Sequence, residues 1–303
     1  MAVVQTAVSN AEIIDRFLDA VWQEAGLREN TLSAYRNDLA QFSKWLSNRQ
    51  PYLLKASRSD VLAYLAASVK RGISAKSSAR RLSTLRRFYR HLLRETLIDV
   101  DPTSEIASPV TGRPLPISLS EDAVTQLLEA PNAGTALGLR DRAMIELLYA
   151  SGLRVSEACG LRLQDVRSDQ GIIHCTGKCN RERIVPTSKT CLNAIESYRL
   201  KERPRLLRED GEELLFLSRS GQRLGREVIA AMVRKYALLA GISKKVTPHT
   251  LRHSLATHLL RGRADLRIVQ EILGHVNVET TELYTHIEKS ELKKLHAEFH
   301  PRG

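Results

Sequence analysis

The chain has 303 residues, 43% of them hydrophobic, and a formal net charge of +12 at pH 7. This length predicts two domains of roughly 100–200 residues each, and the positive charge favours a polyanionic partner, most often nucleic acid. The sequence has no run of about 18 apolar residues and no basic and apolar leader at its start, so we expect a cytoplasmic protein rather than a membrane or exported one.

Residues 11–98 predict helices throughout, and Pro51 is the only proline among them. One predicted helix carries apolar residues at steps of three and four, namely Leu32, Tyr35, Leu39, Phe42 and Leu46. Ser59 or Asp60 is predicted to cap the next helix. The helix from about Ser77 to Arg94 is predicted to bury a stripe of side chains formed by Leu82, Leu85, Tyr89 and Leu92.

The same helix is strongly basic. The stretch from Lys70 to Arg94 contains nine Lys or Arg residues and no Asp or Glu. A solvated helix usually mixes both signs of charge to gain ion pairs between successive turns, so this stretch favours contact with phosphates. The predicted DNA-binding residues are Lys76, Arg80, Arg81, Arg86, Arg87 and Arg90.

Turn-forming residues then interrupt the helical pattern. Residues 99–116 include Asp101-Pro102, Pro109, Gly112, Pro114 and Pro116, and they predict a linker. The predicted domains are therefore a helical DNA-binding domain over residues 1–98 and a second domain over residues 117–303.

The second domain is predicted to mix helices with a few strands. Ser120 caps a predicted helix through Leu128, and residues 171–175 and 183–185 predict a β-hairpin with a basic turn. Residues 214–217 predict one more short strand. The other predicted helices cover 141–150, 155–163, 225–240, 248–261, 265–273, 279–287 and 289–298.

Several residues of this domain could bind or attack a phosphate. Thr247-Pro248 predicts a helix start that places His249 and Arg252 on one face at the positive end of the helix. Arg154 also precedes a helix start, with Glu157 one turn further on. Lys178 lies at the hairpin turn, and Tyr284 follows Gly274-His275 by nine residues. Each feature alone has a simpler explanation as a surface charge or an ordinary side chain.

A metal site is the alternative for the histidines. His249 and His253 are four residues apart, but an arginine lies between them and no acidic third ligand or general base accompanies them. Cys175 and Cys179 have no second cysteine pair that could complete a zinc site, so we expect free thiols and no metal.

In chain order, these residues resemble the pattern of the tyrosine recombinase (phage integrase) family. The family has an Arg, a hairpin Lys, His-x-x-Arg, a His or Trp and a Tyr, matched here by Arg154, Lys178, His249, Arg252, His275 and Tyr284. The segments 77–82, 251–260 and 264–267 resemble the Xer branch of the family. The ending 295–302 is similar to the XerD type of that branch, and the XerC type is the alternative.

The resemblance implies a mainly α fold with a small β-sheet. A helical, SAM-like core-binding domain and a mixed α/β catalytic domain would form a C-shaped clamp on double-stranded DNA. It also implies site-specific recombination through a 3′-phosphotyrosine, with Tyr284 as nucleophile and neither metal nor ATP as cofactor. The implied partners are a XerC-type recombinase in a two-plus-two heterotetramer and a FtsK-type DNA translocase, acting at the nucleoid in chromosome-dimer resolution at cell division.

One position departs from the family pattern, and one segment carries a further expectation. Cys179 stands where the family usually has Gly after the hairpin Lys, which puts the resting position of Lys178 in question. Near the end of the chain, Leu292, Leu295 and Phe299 predict an apolar stripe with little room to pack on its own chain, and the resemblance implies that it docks on a neighbouring protomer.

Two other functions remain open at this stage. A type IB topoisomerase would use similar chemistry and relax supercoils without a partner. A DNA-binding protein with a vestigial site would form no covalent adduct with DNA.

Overall fold

The computed structural model describes residues 9–27, 29–109, 117–135, 137–176, 182–208, 213–274, 295 and 297–302. The chain divides into two compact units, Met1–Pro114 and Leu115–Gly303, called here the first and the second unit. Each unit has a hydrophobic core of its own. None of the helices in the described ranges combines the length and the apolar character needed to cross a membrane.

The first unit is helical over its described residues, with α1 Asn10–Ala25, α2 Glu29–Leu46, α3 Arg58–Lys70 and α4 Ala75–Arg94. Three of these helices have a serine N-cap. The hydroxyl groups of Ser9, Ser57 and Ser74 accept a backbone N–H from the first turn of α1, α3 and α4, respectively. The predicted cap at Ser59 or Asp60 is wrong. Ser57 is the cap, because Asp60 lies three residues further on and its carboxylate accepts the Ser57 N–H at 3.0 Å, which completes a capping box.

Aromatic rings form the centre of the first unit. Phe17 and Phe88 meet edge to face, with 5.3 Å between ring centroids. The Tyr89 hydroxyl donates to the Leu53 carbonyl at 3.1 Å and holds the short 3-10 turn Leu53–Lys55. The predicted stripe on α4 is confirmed, since Leu82, Leu85, Tyr89 and Leu92 are all buried.

The part of the predicted linker that the structure describes, residues 99–109, packs on the first unit. Ile106 is only 3% exposed within the core of this unit. Arg86 on α4 donates to the Ile106 carbonyl and, at 2.8 Å, to the Ser108 hydroxyl. These contacts order the segment against α4 in spite of its turn-forming composition.

The second unit surrounds one buried helix. Its described elements are α5 Glu121–Glu129, α6 Gly138–Ser151, α7 Val155–Gly160, β1 Val166–Arg167, β2 Ile172–Thr176, β3 Glu182–Pro186, α8 Lys189–Lys201, α9 Arg203–Leu206, α10 Arg226–Leu239, α11 Pro248–Arg261 and α12 Leu266–Leu273. Helix α6 is the buried one, and its charged Arg140, Asp141 and Glu146 are also shielded from solvent. The three strands form an antiparallel sheet in the order β1-β2-β3.

Three details differ from the sequence expectations. Residues 214–217 do not form a strand, because Leu214 bridges to Arg162 and Leu217 to Arg223, so no continuous ladder exists. Helix α7 ends at Gly160 rather than near residue 163, and helices α8 and α9 were not predicted. The predicted helix 279–287 and most of the predicted helix 289–298 lie outside the described residues.

The end of the chain contacts its own second unit. Phe299 packs against the core, and a Cβ added at Gly262 would lie 3.0 Å from the Phe299 carbonyl oxygen. The His300 ring lies 5.0 Å from the Tyr149 ring, and Arg302 pairs with buried Glu146 at 3.0 Å. The expectation that this segment has little room on its own chain is therefore wrong for Phe299, whereas Leu292 lies outside the described residues.

Candidate active site

Helix α11 begins as the sequence predicts. Thr247 is its N-cap, Pro248 is its first residue, and the Thr247 hydroxyl accepts the Thr250 N–H at 3.2 Å. His249 is exposed in the first turn, while Arg252, one turn further, is 6% exposed. The unpaired N–H groups and the positive dipole end of the helix therefore lie beside His249 and Arg252, which favours an anion.

Two carbonyl groups orient the Arg252 guanidinium. It donates to the Gly152 carbonyl through Nη1 and to the Leu273 carbonyl through Nη2. Burial, and then repulsion from Arg154 and Arg183, lower the pKa of Arg252 to about 10, so the group stays cationic at pH 7.

The Gly152 carbonyl is available because its residue ends α6 in the left-handed region. Gly152 has φ +59, and Gly274 ends α12 in the same way with φ +64. A Cβ at Gly152 would lie 2.8 Å from Leu255 and 2.9 Å from Leu273. Both φ and space therefore require glycine at position 152.

Arg154 is the N-cap of α7 and lies two residues after Gly152. Its Nη1 donates to Glu157 Oε1 at 3.0 Å and its Nη2 to the Gly274 carbonyl at 3.2 Å. Arg252 and Arg154 thus bind neighbouring carbonyl groups, of Leu273 and Gly274, at the end of α12. The Arg154 side chain is 39% exposed, so part of its guanidinium is open to an incoming group.

A third arginine shares the carboxylate of Glu157. Arg183 on β3 donates to Oε1 at 2.7 Å and to Oε2 at 2.9 Å, while the Arg154 N–H donates to Oε2 at 2.7 Å. Burial acts to raise the pKa of Glu157, but the hydrogen bonds from Arg183 and Arg154 outweigh it, and the pKa lies below its ordinary value. Glu157 is therefore an anion among three arginines.

His258, further along α11, stabilises the fold through hydrogen bonds of both its ring nitrogens. Its Nε2 lies 2.9 Å from the Leu119 carbonyl, which can only accept, so Nε2 carries the proton and Nδ1 accepts from the Tyr149 hydroxyl at 2.8 Å. The Leu119 N–H donates to Ser254 Oγ at 2.9 Å. Both ring nitrogens of His258 are thus engaged, and the described part of the chain contains no cluster of three or more metal-ligating side chains.

The basic residues of α4 differ in their surroundings. Arg80 pairs with Asp38, whose side chain is 2% exposed. Arg81 donates to Gln41 at 2.7 Å and to Ser68 at 3.1 Å. These two arginines therefore help to hold the first unit together, although half of the Arg80 side chain stays exposed.

Other basic residues of α4 face an open concavity in the first unit. Its volume is about 640 Å³, and its lining includes Arg86, Arg87, Arg90 and Arg94. Arg87 lies 5.9 Å from the Tyr35 ring, Arg94 pairs with Glu24, and Arg90 and Lys76 are exposed. The concavity therefore presents several cations to solvent on one surface.

Comparison with known proteins identifies the family. Residues 118–291 match the model of the phage integrase family, and residues 14–96 match the model of the phage integrase N-terminal SAM-like domain. The chain belongs to the phage integrase family.

Full-length relatives and solved structures agree with this assignment. Tyrosine recombinase XerD of Pseudomonas putida is 46% identical over 291 residues, which cover 96% of this chain and 98% of the relative. Tyrosine recombinase XerD of Staphylococcus saprophyticus is 44% identical, with coverage of 96% and 99%. The recombinase is therefore similar to XerD proteins over nearly its whole length, and it is a site-specific tyrosine recombinase that transfers DNA strands.

The fold is shared with more distant recombinases. The structure of XerH bound to the palindromic difH substrate has a TM-score of 0.69 at 21% identity and covers 96% of this chain and 97% of that chain. A lambda integrase dimer bound to a COC′ core site also has a TM-score of 0.69, at 19% identity, and covers 91% and 97%. The mainly α fold with a small sheet, predicted from the sequence, is confirmed.

The recombinase brings some of its predicted site residues together. Arg154 and Arg252 meet at the end of α12, and His249 lies one turn from Arg252 on α11. Lys178, His275 and Tyr284 lie outside the described residues, as does Cys179.

Sequence reasoning missed Arg183. A signal for it existed, because Arg183 lies two residues before Val185 on β3 and two-residue alternation puts both on one face of the sheet. Val185 is fully buried, and an arginine on the buried face of a strand requires an anionic partner.

Proposed function

We propose that the recombinase cuts a DNA strand by attack of the Tyr284 oxygen on a backbone phosphorus. The 5′-hydroxyl leaves, a 3′-phosphotyrosine forms, and the 5′-hydroxyl of another strand reverses the step. One phosphodiester replaces another, so the reaction needs neither a metal nor a nucleotide cofactor. The observation that carries the proposal is the pair Arg154 and Arg252, held on neighbouring carbonyl groups in a chain of this family.

The arginines supply charge stabilisation in this proposal. Negative charge grows on the non-bridging oxygens in the transition state, and planar, permanently charged guanidinium groups match those oxygens. A preorganised donor of this kind contributes about 2.7–4 kcal/mol. Burial is the main cause of the lowered pKa of Arg252, and repulsion from Arg154 and Arg183 lowers it further. A bound phosphate would relieve the repulsion, which supports an anion as the ligand.

Three further side chains complete the proposed chemistry. Lys178 protonates the leaving 5′-oxygen, His249 exchanges a proton with Tyr284, and His275 adds a hydrogen bond to a non-bridging oxygen. The exposure of His249 at the start of α11 agrees with this role, because the imidazole is open to an incoming group.

The first unit would bind the DNA backbone through α4. The candidate residues are Lys76, Arg80, Arg81, Arg86, Arg87 and Arg90, and the concavity near Arg87 and Arg90 favours phosphate contact. The similarity to XerD proteins supports an assembly on DNA with two copies of a XerC-type recombinase and activation by a FtsK-type translocase. Its task would be chromosome-dimer resolution at cell division, in the cytoplasm at the nucleoid.

A suicide DNA substrate on a denaturing gel tests the chemistry. Wild-type protein should form an adduct linked to the 3′ end of the DNA, whereas Tyr284→Phe should form none and still bind DNA, because only one oxygen is removed. Arg154→Ala and Arg252→Ala should slow adduct formation by about 10²–10³-fold each. An adduct formed by Tyr284→Phe at the wild-type rate would refute the assignment of the nucleophile. Supercoil relaxation without a partner as the main activity would instead indicate a topoisomerase.

A further inference from the structure

The Arg183 side chain joins two parts of the active site that are distant in sequence. It lies on β3, only 17% exposed, and holds both oxygens of Glu157 on α7, which is 26 residues away along the chain. Its flank packs against the end of α12, since a Cβ added at Gly274 would lie 3.0 Å from Arg183 Nε. Arg183 therefore contacts the helix that Arg154 begins and the glycine whose carbonyl Arg154 binds.

The hydrogen bonds around Glu157 are divided unequally. Arg183 takes one N–H to each carboxylate oxygen, at 2.7 and 2.9 Å, in the forked geometry typical of arginine–carboxylate pairs. The Arg154 side chain makes one bond to the same carboxylate, at 3.0 Å. A guanidinium has five N–H groups, so Arg154 keeps donors beyond those used for Glu157 and Gly274.

Removing Arg183 would change this division. Glu157 would remain a buried anion, 3% exposed, with Arg154 as its remaining arginine partner. An anion in that position gains most from a two-pronged pair with Arg154, which would turn the Arg154 donors away from an incoming phosphate. The net positive charge of the site would also fall, because two arginines instead of three would surround the one carboxylate.

We propose that Arg183 is a positioning residue of the strand-transfer reaction, which acts by occupying Glu157 so that Arg154 presents its guanidinium to the DNA phosphate. The inference rests on the proposed function.

The test is single-turnover cleavage of a suicide substrate at saturating DNA, with DNA affinity measured separately. Arg183→Met should slow cleavage by about 10–100-fold, since a small misplacement of a reacting group has effects of this size, and should change the Kd for DNA by less than about threefold. Arg183→Lys should recover only part of the rate, because one ammonium cannot replace the fork. Thermal unfolding of each variant shows whether it folds.

Double variants separate the mechanism from its rivals. Arg183→Met combined with Glu157→Gln should cleave several-fold faster than Arg183→Met alone, because the uncharged amide no longer captures Arg154. In an Arg154→Ala background, Arg183→Met should cause little further loss. A double variant no faster than Arg183→Met, or a full additional loss without Arg154, would overturn the proposal and place Arg183 on the DNA itself.

A matched control distinguishes positioning of Arg154 from general support of α7. Arg223 donates to the Cys159 carbonyl at 3.0 Å near the other end of the same helix. Arg223→Met should therefore keep the cleavage rate within about threefold, and a loss equal to that of Arg183→Met would reduce Arg183 to a structural tie. Failure of the proposed function is distinguishable, since it would appear as the absence of a Tyr284 adduct in the wild-type protein.

Discussion

Gly152 contributes both to the stability of the second unit and to the position of Arg252 in the active site, and Gly152→Ala tests both contributions. The residue ends α6 with φ +59, and its carbonyl accepts a hydrogen bond from Arg252. An added Cβ would lie 2.8 Å from Leu255 Cδ2 and 2.9 Å from Leu273 Cδ2, well inside ordinary contact distance. The substitution therefore combines backbone strain with overpacking at the site where Arg252 is held.

The two costs can be separated with a second glycine of the same unit. Left-handed geometry costs an alanine about 1–2 kcal/mol, and an extra methyl group in a packed core costs about 1–3 kcal/mol. Gly241 has φ +70 but no heavy atom within 4 Å of an added Cβ, so Gly241→Ala carries only the first cost. Gly152→Ala should therefore lower the free energy of unfolding by about 1–3 kcal/mol more than Gly241→Ala does.

Urea unfolding followed by far-UV circular dichroism measures the difference. Both tryptophans of the chain, Trp22 and Trp45, lie in the first unit, which has a separate core, so the tryptophan fluorescence transition should keep its midpoint in both variants. DNA cleavage should fall in Gly152→Ala and persist in Gly241→Ala. Equal losses of stability in the two variants would refute the steric argument, and unchanged cleavage in Gly152→Ala would refute the link to Arg252.

Two further predictions concern DNA binding and acid stability. Arg87→Gln and Arg90→Gln should weaken binding to all DNA sequences and make the negative slope of log K against log salt shallower by about 0.9 for each lost phosphate contact. Arg80→Gln should in addition lower the stability of the first unit. An unchanged slope in Arg87→Gln and Arg90→Gln would show that these two arginines do not contact the phosphates. Burial lowers the pKa of His258 from its ordinary value of 6.5, so below that pH the unfolded chain binds the proton more readily and the free energy of unfolding falls as the pH falls. In His258→Gln the side chain keeps a donor for the Leu119 carbonyl but does not titrate, so the free energy of unfolding should decrease less steeply between pH 7 and 5 than in the wild type. An equal pH dependence of the free energy of unfolding in the two proteins would contradict this account.

Local patterns predicted the parts of the site that depend on local structure. The start of α11 follows from Thr247-Pro248, and the position of Arg252 one turn later follows from helix geometry alone. Arg154 at the start of α7 follows in the same way from the glycine before it. These placements depend only on residues within a few positions of one another, so they can be predicted from the local sequence.

Contacts between distant segments could not be predicted in this way. The pairing of Arg183 with Glu157 spans 26 residues, and that of Arg80 with Asp38 spans 42. The charge pattern of α4 therefore predicted Arg80 as a DNA-binding residue but could not reveal that Arg80 pairs with Asp38 on α2. Residues 214–217 show the same limit, because an apolar run does not reveal that its two ends meet different neighbours.

The two hydrogen bonds of Leu119 set the boundary for any separately expressed fragment of the second unit. A fragment that began at Ser120, the N-cap of α5, would keep every described helix of the unit. It would lack the Leu119 carbonyl, which accepts a hydrogen bond from His258 Nε2, and the Leu119 N–H, which donates to Ser254 Oγ; the side chains of His258 and Ser254 are both buried. The His258 Nε2–H would be a buried donor without an acceptor, which costs about 1–3 kcal/mol, whereas Ser254 would keep its hydrogen bond to the Thr250 carbonyl. Both side chains belong to the helix that carries Arg252. A fragment that began at Ile117 would keep both bonds, so the three residues 117–119, which have no regular secondary structure, separate a stable fragment from a weakened one.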